Sequence, residues 1–310
     1  MTEPTARDSA RSEKIATPPR PNIAVGIATT GRPGILARTV ELLSRQSRAA
    51  DAIIVCPARD EDVDRTMLQG ALDISVVRGN PGLPAQRNTL LSAAGNADVL
   101  VFFDDDFFPE DAYLQAIEDL FRRESDVVMA TGTVIADGIL GPGLSPEVAS
   151  RYLDEVGPKP AEHIEDVYNG YGCNMAVRMS AVRSLNLKFD EALPLYGWLE
   201  DVDFSRRLAS AGRIVRSNLL RGVHLGNKSG RSSGVRLGYS QIVNPLYMVR
   251  KGTLERGRAY KQIGRNIAAN ALKTLRPEPW IDRKGRLIGN LRGAVDAVRG
   301  QLDPRQILKL

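Results

Sequence analysis

Val99-Leu100-Val101-Phe102-Phe103-Asp104-Asp105-Asp106 reads as a buried strand that runs directly into three adjacent carboxylates. Five consecutive apolar residues with no polar alternation describe a strand covered on both faces, as in a parallel sheet flanked by helices. Similar apolar runs lie upstream at residues 23–28, 53–56 and 74–77, and downstream at 126–133 and 173–177. Helical spacing fills the gaps: Ile35, Leu36, Thr39, Val40 and Leu43, then residues 84–94, 109–123 and 200–211, where Val202, Phe204, Leu208 and Ala209 supply one face. This alternation predicts an α/β fold built on a mainly parallel sheet.

The chain has 310 residues, 43% of them apolar and 25% charged. That composition excludes disordered, collagen-like and disulfide-stapled classes. Cys56 and Cys173 each sit in an apolar run, which predicts buried thiols in a reducing, cytoplasmic compartment. Residues 1–20 mix both charge signs, have no apolar core and end near Pro18-Pro19, so they read as a floppy tail and not a secretory signal. No stretch approaches the roughly 20 apolar residues that span a bilayer. Residues 138–160, rich in Gly and Pro, predict an extended excursion. The expected organisation is a tail at 1–20, an α/β domain at 21–245 and a basic amphipathic helical extension at 246–310.

Charge is unevenly placed. Residues 250–310 hold 15 Lys and Arg against 5 Asp and Glu, a net of +10, while the whole chain is only +5, so the body before them is net −5. Such an arm suits an anionic membrane surface, or is simply a solvated helical face. Its aromatics are few beyond Tyr260 and Trp280, so base stacking and nucleic acid are not expected.

Three carboxylates at the carboxyl end of a buried strand repel one another unless a cation or donors compensate them. That end of an open α/β sheet is also where ligands bind. Asp104, Asp105 and Asp106 therefore read as a hard-cation site for Mn²⁺ or Mg²⁺, or as caps for the helix that follows. Glu200-Asp201-Val202-Asp203 opens a helix just after Tyr196-Gly197-Trp198-Leu199. These acids are either dipole-favoured helix starters or a general base beside an aromatic wall. His224 is a candidate ligand or a structural histidine, and His163, among acidic neighbours, reads as a surface residue. Lys228-Ser229-Gly230-Arg231-Ser232-Ser233-Gly234 reads as a loop able to close over a diphosphate, or as a flexible surface loop.

Taken in order, these segments resemble glycosyltransferase family 2: the strand with Thr29-Thr30-Gly31-Arg32-Pro33, Gln86-Arg87-Asn88, Phe103-Asp104-Asp105-Asp106, Gly172-Cys173-Asn174-Met175 and Trp198-Leu199-Glu200-Asp201. The resemblance spans about residues 21–230. It implies the GT-A fold and a metal-dependent, inverting transfer from a nucleoside-diphosphate sugar to a glycan or lipid-linked acceptor. It implies that Thr29, Thr30, Arg32, Arg87, Asp104 and Asp105 contact the nucleotide sugar. Asp106, Asp104 and His224 would hold the metal. Asp201 would be the base, with Glu200 beside it, and Trp198 and Glu200 would meet the acceptor. For Arg87 a salt bridge to the acidic triplet is the competing reading. A helix N-terminus is expected to lower the pKa of Asp201.

One departure stands out. The family commonly carries an Asp just after the second strand, where this chain has Ile54-Val55-Cys56-Pro57-Ala58-Arg59. Asp60 and Asp62 are the available substitutes. Rival classes fit less well. The first turn lacks the G-x-G-x-x-G of a dinucleotide-binding domain and the Gly-rich, basic first loop of a sugar nucleotidyltransferase. A non-catalytic carbohydrate- or membrane-binding protein would not need both acidic motifs intact.

Overall fold

A computed structural model describes residues 19–68, 73–228 and 233–310. The expected tail lies outside these apart from its last two residues, as do residues 229–232 of the small-residue loop. The chain runs β1 (Ile23–Thr29), α1 (Pro33–Ser44), β2 (Ala52–Pro57), β3 (Ile74–Val76), α2 (Leu83–Ala93), β4 (Val99–Asp104), β5 (Phe107–Pro109) and α3 (Tyr113–Arg123). There follow β6 (Val127–Asp137), α4 (Pro146–Asp154), β7 (Ile164–Asp166), β8 (Asn174–Arg178), α5 (Met179–Ser184), α6 (Glu200–Leu208) and β9 (Arg213–His224). Three helices close the chain: α7 (Gly234–Lys251), α8 (Arg256–Thr274) and α9 (Arg283–Val298).

The sheet order is β3-β2-β1-β4-β8-β6-β9-β5, with β7 also paired to β9. The first four strands are parallel. Beyond them β8 runs antiparallel between β4 and β6, and β9 lies parallel to β6. The apolar run in β4 serves both faces, as its lack of alternation requires. Val99, Val101 and Phe103 pack under α1 and α3, beside Leu36, Leu43, Tyr113 and Ile117. Leu100 and Phe102 face the other way, toward Leu90 of α2 and Phe204 of α6. Each such large apolar side chain contributes on the order of 1.5–3 kcal/mol when buried. Cys56 and Cys173 are buried free thiols.

The excursion at 138–160 contains a helix that composition concealed. Ser145 accepts a hydrogen bond from the Val148 N–H, Pro146 takes the first turn, and Ala149 is buried against Phe108, Val223 and Leu225. The helical arm begins earlier than residue 246, because α7 runs unbroken from Gly234 across Pro245. Backbones of α7 and α9 approach closely at Gly238, Gly289 and Gly293. Asn270 of α8 joins Gln241 and Asn290 in a buried polar cluster that also takes a hydrogen bond from Arg283. Apart from Ala259 and Asn270, α8 leaves its side chains unburied.

Candidate active site

β4 delivers the acidic triplet to the sheet's carboxyl edge, and the three carboxylates part company there. Asp105 is sealed from solvent. It accepts from Thr29 Oγ1 at 2.6 Å and faces Arg32 Nη2 at 2.6 Å, while its own carbonyl accepts from Thr39 Oγ1. Burial pushes its carboxyl above the ordinary range, with Arg32 pulling it back. Expected at the nucleotide, Asp105 is instead an internal brace between β4 and the first turn, because its side chain points into the packed face of the sheet. Its partner Thr29 is buried with it; Thr30, one residue on, is half-buried at the turn.

Asp106 turns the other way. Its Oδ2 accepts from Arg32 Nη1 at 3.0 Å and from the Asn227 N–H at 2.8 Å. Its Oδ1 stands 3.5 Å from His224 Nε2. Burial alone would raise its pKa, but His224 and Arg32 outweigh that and hold it at about 2. Arg32 thus spans Asp105 and Asp106 and offsets part of the charge that the triplet concentrates.

Strand register brings in His224. The β6–β9 ladder sets it beside Asp137, and the β5–β9 ladder sets it across from Phe107, the residue after Asp106. His224 Nδ1 lies 2.9 Å from Asp137 Oδ1, and the Tyr171 hydroxyl donates to Asp137 Oδ2 at 3.0 Å. A proton on Nδ1 held by Asp137 leaves Nε2 toward Asp106. Burial lowers the pKa of His224, and Asp106 and Asp137 more than reverse it, to about 10. Neither Asp137 nor Tyr171 was anticipated. The usable signal was an acid closing an apolar strand.

Ligand atoms of Asp104, Asp106 and His224 all lie within 4.8 Å of one another. Two carboxylates and an imidazole suit a hard divalent ion such as Mn²⁺ or Mg²⁺. The fit shows in the protein itself: the carboxylates that raise His224 make positive charge favourable where the three meet, and an ion there would take the place of the Nε2 proton. Asp137 on Nδ1 completes the carboxylate–histidine arrangement that orients a metal-binding imidazole.

Arg87 is the floor. It is 2% exposed and donates to Asp104 Oδ1 at 3.0 Å, to the Gly172 carbonyl at 2.7 Å and to Glu200 Oε1. Phe102 and Phe189 flank its guanidinium, with ring centroids at 5.8 and 5.6 Å. The salt bridge to the triplet is therefore present, and it reaches Glu200 as well. Glu200, expected at the acceptor, is 4% exposed and tied inward by Arg87. Burial raises its pKa to about 8, against the pull of Arg87.

Asp201 is the more open of the acidic pair. Its oxygens accept from the Val202 N–H at 2.8 Å and the Gly172 N–H at 3.1 Å. The helix N-terminus was expected to lower its pKa; burial raises it instead, outweighing Arg87 and both backbone donors. Just before α6 the chain makes a tight turn with Leu195, Gly197 and Leu199 at φ 62°, 62° and 73°. A Cβ on Gly197 would fall 2.8 Å from Pro84 Cγ, so glycine is required there on both counts.

Asp104, Tyr171, Gly172, Trp198, Asp201 and His224 share one groove of about 1300 Å³ that extends to the α7–α9 arm. Asp62, a substitute for the missing family Asp, has both oxygens engaged by the Gly31 and Arg59 N–H groups, which pins the first turn. Asp60 pairs with Arg78 at the surface. His163 is exposed.

Residues 24–185 match the family model described as glycosyl transferase family 2. Over 150 residues the chain is 29% identical to the glucosyl-dolichyl phosphate glucuronosyltransferase of Haloferax volcanii, covering 46% of this chain and 47% of the relative. The match thus spans about half the length of that curated relative. Among solved structures, S. aureus TarS 1-349 in complex with UDP-GlcNAc superposes with a TM-score of 0.56 at 14% identity, covering 91% of this chain and 82% of that one. The mannosyltransferase PcManGT from Pyrobaculum calidifontis, in complex with GDP-Man and Mn²⁺, gives 0.52 at 12% identity, covering 93% and 85%. These likenesses show the GT-A fold.

Proposed function

This chain belongs to glycosyltransferase family 2, and on that premise we propose that it moves a sugar, with inversion, from a nucleoside-diphosphate sugar to a hydroxyl of a glycan or lipid-linked acceptor. The observation that carries this reading is the convergence of Asp104, Asp106 and His224 within 4.8 Å, where Asp104 and His224 line the groove that Asp201 also lines. Those three residues would hold Mn²⁺ or Mg²⁺. Bound there, the ion supplies Lewis acidity that offsets charge growing on a departing diphosphate.

The chain's own groups do the rest. Asp201 accepts the proton of the acceptor hydroxyl as that oxygen bonds to the anomeric carbon and the diphosphate leaves from the opposite face. A single displacement inverts the centre. Burial makes Asp201 a better base than a solvated aspartate, and the Gly172 and Val202 N–H groups fix its aim. Trp198 offers the acceptor a flat apolar wall, while Thr30 and Arg32 of the first turn would border the nucleotide and Thr29 would brace Asp105 behind them. Glu200 supports this machinery through Arg87. The archaeal relative's name, a glucosyl-dolichyl phosphate glucuronosyltransferase, favours a lipid-linked acceptor. No helix among the described residues is long and apolar enough to cross a membrane. The +10 arm then suits a peripheral position on the cytoplasmic face, each exposed Lys or Arg near an anionic surface adding about 1 kcal/mol.

Calorimetric titration with UDP, GDP and dTDP, with and without Mn²⁺, tests the donor site. Asp106→Asn should abolish the metal-dependent part of binding. Asp201→Asn should keep it and lower turnover by about 10²–10⁴-fold. Near-normal turnover in Asp201→Asn would remove the base assignment.

A further inference from the structure

α8 presents an unusual face to the groove. Arg258, Lys261, Arg265, Asn266 and Lys273 line it at helical spacing, so one stripe of the helix lines the same groove as Asp104 and Asp201. A helix that walls a cavity ordinarily turns apolar residues toward it; this one turns cations. Arg258 is held over the Tyr168 ring at 4.0 Å, and Lys273 pairs with Glu278 at 2.6 Å. Lys261 and Arg265 pair with no carboxylate among the described residues, although like charges four residues apart repel. Asn266 Nδ2, on the same helix, is buried with no acceptor among the described residues. Asp282, the carboxylate that the arm brings to the groove, has its Oδ1 occupied by the Gly285 N–H.

Two solvated cations, Lys261 and Arg265, line this one space, with the buried Asn266 amide next in sequence to Arg265. Both cations are donors, so the ligand this stripe suits is a multivalent, negatively charged acceptor of hydrogen bonds. The diphosphate of the donor sugar has its own place at Asp104, Asp106 and His224. We propose that the α8 stripe is the subsite for a phosphate or diphosphate carried by the acceptor substrate, so that the arm holds the acceptor's anionic end while its hydroxyl lies at Asp201. This rests on the transferase reading of the site. It assigns to Lys261, Arg265 and Asn266 a role in substrate selection distinct from membrane attachment. Leu140 and Trp280, 86% and 38% exposed, also line the groove and offer an apolar path for a lipid chain.

Both tryptophans of the chain, Trp198 and Trp280, line this groove, so intrinsic fluorescence reports its occupancy. Inorganic pyrophosphate, farnesyl diphosphate and farnesol are titrated into the full chain in EDTA, which keeps the metal site out of play. Both diphosphates should quench, and Lys261→Gln with Arg265→Gln should raise their Kd about tenfold or more. Lys284→Gln with Arg292→Gln, which removes the same charge from the exposed side of the arm, should leave Kd unchanged. Mn²⁺-dependent nucleotide binding by the Lys261→Gln/Arg265→Gln chain should persist, which shows it folded and separates this proposal from the donor-site reading. Tighter binding of farnesyl diphosphate than pyrophosphate marks a lipid-linked acceptor, and equal binding marks a phosphate on a soluble glycan; either supports the subsite. The proposal is overturned if the double substitution leaves Kd unchanged, if Asp106→Asn weakens the binding instead, or if both pairs of substitutions reduce only adsorption to anionic vesicles.

Discussion

Arg87 and Glu200, 113 residues apart in sequence, form a buried pair at the edge of the groove, and Glu200 Oε2 has no hydrogen-bond partner among the described residues. Arg87 also reaches Asp104 and the Gly172 carbonyl. One guanidinium therefore ties together the end of β4, the segment before β8 and the start of α6, the three pieces that carry Asp104, Gly172 and Asp201.

Removing that cation leaves Glu200 buried and unpaired. Above pH 8, where Glu200 is ionised, Arg87→Met should lower the unfolding free energy by about 3–5 kcal/mol, read by urea denaturation. Adding Glu200→Gln should recover part of the loss. Arg87→Lys should not restore the wild type, because a lysine cannot present the fork that spans three acceptors.

Glu200 also sets a pH dependence. Its native pKa is about 8 against an ordinary 4.5, so folding favours its protonated form. That contribution is complete below pH 4.5 and lost as pH rises through 8. Glu200→Gln mimics the protonated state and does not titrate. Relative to the wild type it should gain stability between pH 5 and pH 8, on the order of a few kcal/mol, measured by urea unfolding at each pH. A constant difference across that window would contradict the assignment.

Asp137 engages His224 Nδ1 and so leaves Nε2 toward Asp106. Asp137→Asn should weaken Mn²⁺ binding about 10–100-fold while leaving the fold intact, as followed by titration calorimetry. Tyr171→Phe, which removes only the hydroxyl donor to Asp137, should have a smaller effect in the same direction.

Gly172 separates Arg87 from Asp201. A Cβ there would stand 3.2 Å from Arg87 Nη1 and 3.4 Å from Asp201 Oδ2. Gly172→Ala should displace the base by a few tenths of an ångström and lower kcat about ten- to a hundredfold, with nucleotide affinity preserved.

Cys56 is raised to about 11 and Cys173 well above its ordinary value, both chiefly by burial. Neither thiol should react with a disulfide reagent in the native protein, and both should react once urea unfolds it.

Much of this was legible along the chain. The unbroken apolar run of residues 99–103 demanded cover on both faces, and the β4 core shows that cover. Asp104 to Asp106 announced a charge concentration, but not that Asp105 would turn inward to Thr29 while Asp104 and Asp106 meet His224. That split follows from side-chain alternation at a strand end, which sequence shows only once register is known. Helix α4 hid in Gly- and Pro-rich surroundings because its single buried residue, Ala149, carries little periodic signal. For Asp201 the helix dipole argued for a lowered pKa, and desolvation in the assembled groove won.

The order of apolar runs, the acidic triplet, the acidic pair and the basic arm were determined by sequence alone, because each is a local property of composition and spacing. Which carboxylates converge on His224, which is sealed inside and which opens to the groove was decided only by tertiary structure. Charge state and orientation depend on distance and dielectric, and those are set by strands and helices brought together from more than a hundred residues apart.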